Sequence, residues 1–186
     1  MSKAINDWLN NIGMTSSTIS IEDIINFKRN ISCIDNLIAI EQTMLFLDKL
    51  KADKVIVETD YDRIISNIDD PNVIGYDLYD DICKIVAEFK GTIPCGKNGT
   101  FGAEQKKKIK TDLEGLVKSK TGQSIENFKK YMVLFDFAKV AMDKFIESTT
   151  LSKDIKDQIE RGEIQIIYIS KNDMKTKAHR NIDFKF

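Results

Sequence analysis

Histidine is nearly absent from this chain: His179 is the only one in 186 residues. A zinc site built on histidines therefore lacks partners, and a Ser-His-Asp or Cys-His mechanism would have to use a side chain in a polar tail. Cysteine is scarce as well. Cys33, Cys83 and Cys95 are odd in number and show no CxxC spacing, so they read as free thiols of a reducing, cytoplasmic protein. Proline occurs twice, at Pro71 and Pro94, and no proline-rich linker or low-complexity segment divides the chain. No apolar run approaches the roughly 18–20 residues that a membrane helix needs. The opening MSKAINDWLNN lacks the basic-then-apolar pattern of a secretory signal. A soluble protein with no membrane partner is expected. Neither sign of charge prevails: 28 Lys+Arg stand against 29 Asp+Glu, net -1. That balance argues against a general polycation that coats DNA.

Asp, Glu and Lys chemistry is what remains in abundance. The length and a hydrophobic content of 42% fit one globular domain with a proper core. The near-neutral sum hides a gradient. Residues 1–83 carry net -8, residues 84–130 net +6, and residues 131–186 net +1. A lysine-rich block inside a neutral protein is often a solvated helix face. It is also what a surface that tracks phosphates looks like.

The pattern predicts short helices over 4–12 and 21–29, the second capped by Ser20, with Trp8 as a packing anchor in the first. A stronger helix over about 36–50, capped by Asp35, places Leu37, Ile38, Glu41, Leu45 and Asp48 at helical spacing. Strands are predicted at 54–59, 73–79 and 82–90, the last two forming a hairpin around Asp80-Asp81. A Gly-containing loop comes next, over 91–100, then a helix over about 102–120 with Ile109, Leu113, Leu116 and Val117 inward, ended by Gly122. Residues 131–135 read as a buried strand, 137–148 and 152–161 as helices, and 164–169 as a last strand. Met132, Phe135, Met142 and Phe145 read as core. The expected architecture is α/β: one mixed sheet flanked by helices. Within a single domain, 1–33 is an N-terminal helical addition, 34–136 the core, and 137–186 C-terminal helices, a strand and a basic tail.

The third predicted strand ends in Glu88-Phe89-Lys90. Strand side chains alternate, so Glu88 and Lys90 share one face while Ala87 and Phe89 take the other. The preceding hairpin strand supplies Asp77. Two carboxylates brought together repel unless a cation lies between them. Hard oxygen ligands favour Mg²⁺, which keeps waters for a substrate phosphate. Lys90 is placed to orient or help deprotonate an attacking water. Acid-x-Lys occurs five times in the sequence, but only Glu88/Lys90 lies in an apolar strand, behind an acid-bearing strand and before a long helix.

Asp77 followed by Glu88-x-Lys90 resembles the PD-(D/E)xK nucleases, the restriction-endonuclease-like superfamily, over about 100 residues, 36–135. Their core order is α-β-β-β-α-β. The resemblance implies a Mg²⁺-dependent endodeoxyribonuclease acting on double-stranded DNA. It implies Asp77 and Glu88 as metal ligands with the backbone carbonyl of Phe89, and Lys90 as the catalytic lysine. It offers Glu41 on the first core helix as a further ligand and Gln105 as an auxiliary residue. One departure is that Tyr76, not proline, precedes Asp77, which leaves Asp80 and Asp81 as rivals for the first acid. The size fits a compact type II restriction enzyme, and cutting both strands of a duplex favours a homodimer.

Ordinary explanations compete at each position. Glu88 and Lys90 would be solvated on an exposed edge strand, Glu41 would mark an amphipathic boundary, and Gln105 would be a polar residue at a helix start. Lys106, Lys107 and Lys110 would form a solvated face; with Lys97 in the loop they are also placed to meet DNA phosphates. Gly96-Lys97-Asn98-Gly99-Thr100 lacks GxxxxGK[ST] spacing, which discounts a nucleotide triphosphatase. The alternatives are a DNA-repair or mobile-element nuclease of the same fold and a non-catalytic nucleic-acid- or protein-binding α/β domain. An interaction partner in a phage-defence or toxin pair, docking through the acidic first 83 residues, is the third.

Overall fold

Between Ile21 and Ala52 the sequence has no glycine and no proline, so nothing breaks the backbone ladder of a helix once it has started. The computed structural model describes residues 21–67, 75–120, 122 and 124–170. It shows this stretch as one 32-residue helix, α1, Ile21–Ala52. The two predicted helices at 21–29 and 36–50 are therefore one, and Asp35 is an exposed residue within it, not a cap. The predicted 4–12 helix, Trp8, the Ser20 cap, Val73-Ile74 and the basic tail with His179 lie outside the described residues.

The chain divides into two compact units, residues 1–38 and 39–186. In the first, the described part is the start of α1. In the second, α1 runs on to bury Leu45, Phe46, Leu47 and Leu50.

The strand predicted at 54–59 is absent. Lys54 takes a left-handed φ of 57°, and the Val55 amide reaches back to the Leu50 carbonyl at 2.8 Å while the Lys54 amide bonds Lys51 at 3.0 Å. This is the Schellman closure that ends many helices, here without the usual glycine. Val57 then caps a second helix, α2, Glu58–Ser66. Its free amide is met by the Asp60 carboxylate at 3.2 Å. The β-branched run is thus a helix end and a helix start, and the turn chemistry between them overrides strand propensity.

The sheet has four strands in the order β1-β2-β3-β4. They are β1 Leu78–Asp80, β2 Ile85–Lys90, β3 Lys129–Phe135 and β4 Ile164–Ile169. β1 pairs antiparallel with β2, while β2–β3 and β3–β4 are parallel. Parallel neighbours need crossovers. Helix α3, Ala103–Lys118, makes the first; α4, Lys139–Glu147, and α5, Lys153–Glu160, make the second. The fold is α/β with a mixed sheet flanked by helices. Its hairpin is shorter than predicted: β1 has three residues, and Tyr76 and Asp77 lie before it. Among the described residues one strand and not two precedes β2, so the α-β-β-β-α-β order is not reproduced.

Alternation along β2 sorts its side chains between two cores. Val86 packs with Met132, Leu134 and the fully buried Ile109, Leu113 and Leu116 of α3. Phe89 lies on the other face, its ring 5.6 Å from that of Phe46, which also meets Tyr131 at 5.1 Å. Met142 and Phe145 of α4 join the first core. Full burial of each such side chain contributes roughly 1.5–3 kcal/mol.

Asp80 is not a solvated turn residue. It ends β1 at 7% exposure, gripped by both Arg63 guanidinium nitrogens and by the Cys83 amide at 2.7 Å. Burial pushes its carboxyl up, but Arg63 and the Cys83 amide outweigh that and hold it below the usual carboxylate range. Arg63→Ala would leave the charge buried without its partner. A loss of about 2–4 kcal/mol is expected, read as a lowered urea midpoint with an unchanged slope. A smaller loss in Asp80→Asn than in Arg63→Ala would agree with this; equal wild-type stability in Arg63→Ala would refute it.

Candidate functional site

Glu88 lies in the middle of the sheet at 1% exposure. A carboxylate there needs a cation, and Lys120 supplies one: its Nζ is 2.7 Å from Glu88 Oε1. The same ammonium is 3.0 Å from Asp112 Oδ1 on α3 and 3.1 Å from the Gly75 carbonyl. Two residues along β2, Lys90 Nζ is 2.8 Å from Asp112 Oδ2 and 3.8 Å from Asp77 Oδ2. Asp77, Glu88 and Lys90 therefore gather on the α3 side of β2, with Asp112 linking the two lysines. Asp77 is the most open of the five at 46% side-chain exposure. Its Oδ2 accepts the Phe89 amide at 2.7 Å.

The electrostatics arise from burial. Desolvation pushes the Glu88 carboxyl up to about 8; Lys120 opposes the shift, and the charges of Asp77 and Asp112 add to it. Burial works to lower the Lys120 ammonium, but its bonds to Glu88 and Asp112 win and raise it.

Lys120 is held from behind. Tyr76 Oη donates to the Gly115 carbonyl at 3.0 Å and accepts the Lys120 amide at 3.0 Å. Ser119, not the predicted Gly122, ends α3, with φ 70° and ψ 143°. Tyr76→Phe removes the hydroxyl that joins the α3 terminus to the strand approach. A loss of about 1–2 kcal/mol is expected, measured by thermal or urea denaturation; a stability equal to wild type would show the bridge to be idle.

The other predicted positions behave differently. Glu41 is half-buried and joins none of these bonds. Its neighbour Gln42 is 1% exposed and donates to the Val133 carbonyl at 3.2 Å and the Lys90 carbonyl at 3.5 Å. Gln42 thus ties α1 to the end of the strand that carries Lys90. Gln105 builds the loop before α3: its Oε1 accepts the Gly102 amide at 2.9 Å and its Nε2 donates to the Ile93 carbonyl at 2.8 Å. Lys97 and Lys107 are exposed, and Lys106 and Lys110 half-exposed. Asp81 is exposed and pairs with Lys84 at 2.7 Å. Cys83 and Cys95 are free thiols, and burial pushes Cys83 up to about 12, which makes it a poor nucleophile.

Asp112 and Lys120 escape a reading of the sequence. Asp112 carries a signal, since it stands three residues after Ile109 and four before Leu116, on the inward side of α3. Lys120 carries none, because it lies beyond the helix end.

Asp77, Glu88 and Asp112 offer the hard oxygen donors that Mg²⁺ takes. Glu88 Oε1 is buried and accepts no hydrogen bond of ordinary geometry; its charge is met by the Lys120 ammonium. The donor chemistry fits a divalent cation. Among the described residues, however, no three His, Cys, Asp or Glu side chains stand close enough to hold a metal in this arrangement. No helix among them is long and apolar enough to cross a membrane. Comparison with known proteins found no matching family model, no matching curated protein and no matching solved structure.

Proposed function

We propose that the chain is a metal-dependent endonuclease that hydrolyses DNA phosphodiesters, of the restriction-endonuclease-like class. The observation that carries this reading is Glu88, a carboxylate buried to 1% exposure on the same face of one strand as Lys90. Asp77 and Asp112 complete the group around Lys90 at 3.8 and 2.8 Å. Burying such a cluster costs stability, and carboxylates kept at that cost are candidates for chemistry or for holding an ion.

In this reading Glu88, Asp77 and Asp112 would hold Mg²⁺, with the Phe89 carbonyl as an expected further donor. When bound, the ion supplies Lewis-acid stabilisation of charge developing on the phosphate. Lys90 holds the attacking water and manages its proton, while Asp77 and Asp112 fix the ammonium. Lys97, Lys106, Lys107 and Lys110 meet the DNA backbone. Double-strand cleavage calls for two copies of the site, hence a homodimer, and a type II restriction role is the finer form of the proposal. The test is plasmid and linear DNA incubated with the protein in Mg²⁺ or in chelator. Metal-dependent cutting is expected; discrete bands indicate restriction, a smear indicates a nonspecific or repair nuclease, and no cutting refutes the class.

One observation favours a second reading. The Lys120 ammonium already lies 2.7 Å from Glu88 and 3.0 Å from Asp112, as it would in a non-catalytic binding domain where the cluster is structural. Salt-dependent DNA binding without cleavage would support it.

A further inference from the structure

Lys120 stands where a metal-binding site would keep its cation. Its ammonium has three donors, and three oxygens surround it: Glu88 Oε1 at 2.7 Å, Asp112 Oδ1 at 3.0 Å and the Gly75 carbonyl at 3.1 Å. Two independent features of the chain hold it there. Ser119, just before it, adopts φ 70° and ψ 143°, a region that is strained for any side chain but glycine and costs on the order of 1–3 kcal/mol. Gly115 has no side chain where the Lys120 stem crosses α3. A Cβ at Gly115 would lie 2.6 Å from Lys120 Cε and 2.7 Å from its Cγ.

We propose that Lys120 is a gate on the cation site: its ammonium and a divalent cation are alternative occupants of the position between Glu88 and Asp112. The inference rests on the nuclease reading for the identity of the cation. The physical argument is occupancy. Two of the three oxygens engaged by the ammonium, Glu88 Oε1 and Asp112 Oδ1, are ones the metal would take, and two cations at one position repel. A divalent ion enters only when the Lys120 side chain swings out. The metal-free site is thus closed by the chain itself.

The test is titration calorimetry of Mn²⁺ alone, without DNA, on the full chain. Lys120→Met removes the competing charge and should bind Mn²⁺ at least about tenfold more tightly than wild type. Gly115→Ala keeps every charge but displaces the lysine stem, and its affinity should rise in the same direction. Lys120→Arg, which restores a cation, should bind as weakly as wild type. A folded Lys120→Met that binds Mn²⁺ no more tightly overturns the gate. A gain in Lys120→Met with none in a folded Gly115→Ala also overturns it, because a distant charge effect would then suffice. If Lys120→Met does not fold, Gly115→Ala decides by the same criterion. Tighter metal binding with no cleavage in any variant would sink the nuclease reading and leave the gate. Wild-type cleavage with no gain in affinity would do the reverse.

Discussion

If the chain is the proposed nuclease, Glu88→Gln is expected to lower Mg²⁺-dependent DNA cleavage by a factor of at least about 10²–10³, the range for removing one charge-stabilising group from a preorganised site. The change keeps the shape of the side chain and removes only its capacity for negative charge. Because Glu88 is 1% exposed and central in the sheet, no solvent carboxylate can stand in for it. Lys90→Met should fall by a similar factor, since no other lysine reaches both Asp77 and Asp112 from β2. Asp77→Asn should fall less steeply if Asp112 shares its role, and the ratio of the two losses measures that sharing. Initial cleavage rates with circular dichroism as a folding control decide the matter. Cleavage by Glu88→Gln at the wild-type rate would remove Glu88, and with it the site, from the chemistry.

Stability of the metal-free chain falls as pH rises from about 5 to 8, and Glu88→Gln largely abolishes that fall. Glu88 titrates at an ordinary 4.5 when unfolded and at about 8 when folded. Between those values the native state binds a proton that the unfolded state has lost. Raising the pH therefore favours unfolding across this window, with an effect of up to roughly 3–5 kcal/mol. Asp60, Asp80 and Glu163, whose carboxyls are held below their usual range, act below pH 5 and with the opposite sign. At pH 8 Glu88→Gln should be more stable than wild type. Urea midpoints at pH 5, 6.5 and 8 in chelator test this. A flat profile in wild type would place the Glu88 carboxyl near its ordinary value.

These two results separate stability from function at one residue. A buried carboxylate that weakens the metal-free fold at neutral pH, yet is required for activity, is what a site built to hold a cation looks like. If Glu88→Gln loses neither cleavage nor the pH dependence, the cluster is an ion-pair network alone.

Legibility in the sequence depended on the kind of signal each element carried. Helix α3 announced itself through Ile109, Leu113 and Leu116, and β3 through its continuous apolar run, because burial of a face imposes a period. The shared face of Glu88 and Lys90 was legible for the same reason: strand alternation is geometric and needs no tertiary knowledge. The supposed strand at 54–59 misled because a helix terminus can be closed by Lys54 in a left-handed conformation, and only backbone hydrogen bonds record that closure. The sequence pattern divides α1 in two because Asp35 resembles a cap. Only backbone conformation on both sides of such a residue separates a cap from an interior position.

By itself the sequence determined which chemistry was open to this protein: carboxylates and lysines, with one histidine, and an acid-x-lysine pair on one face of a buried strand. Those are matters of composition and local geometry. Only the tertiary structure decided which charges meet. Asp112 comes from a crossover helix and Lys120 from just beyond its end. Both join the Glu88 cluster because β2 and β3 are parallel and the connection between them packs back over the sheet. Ion pairs at a distance in sequence depend on that packing. Lys120, which pairs with both Glu88 and Asp112, therefore had no signal until the chain was folded.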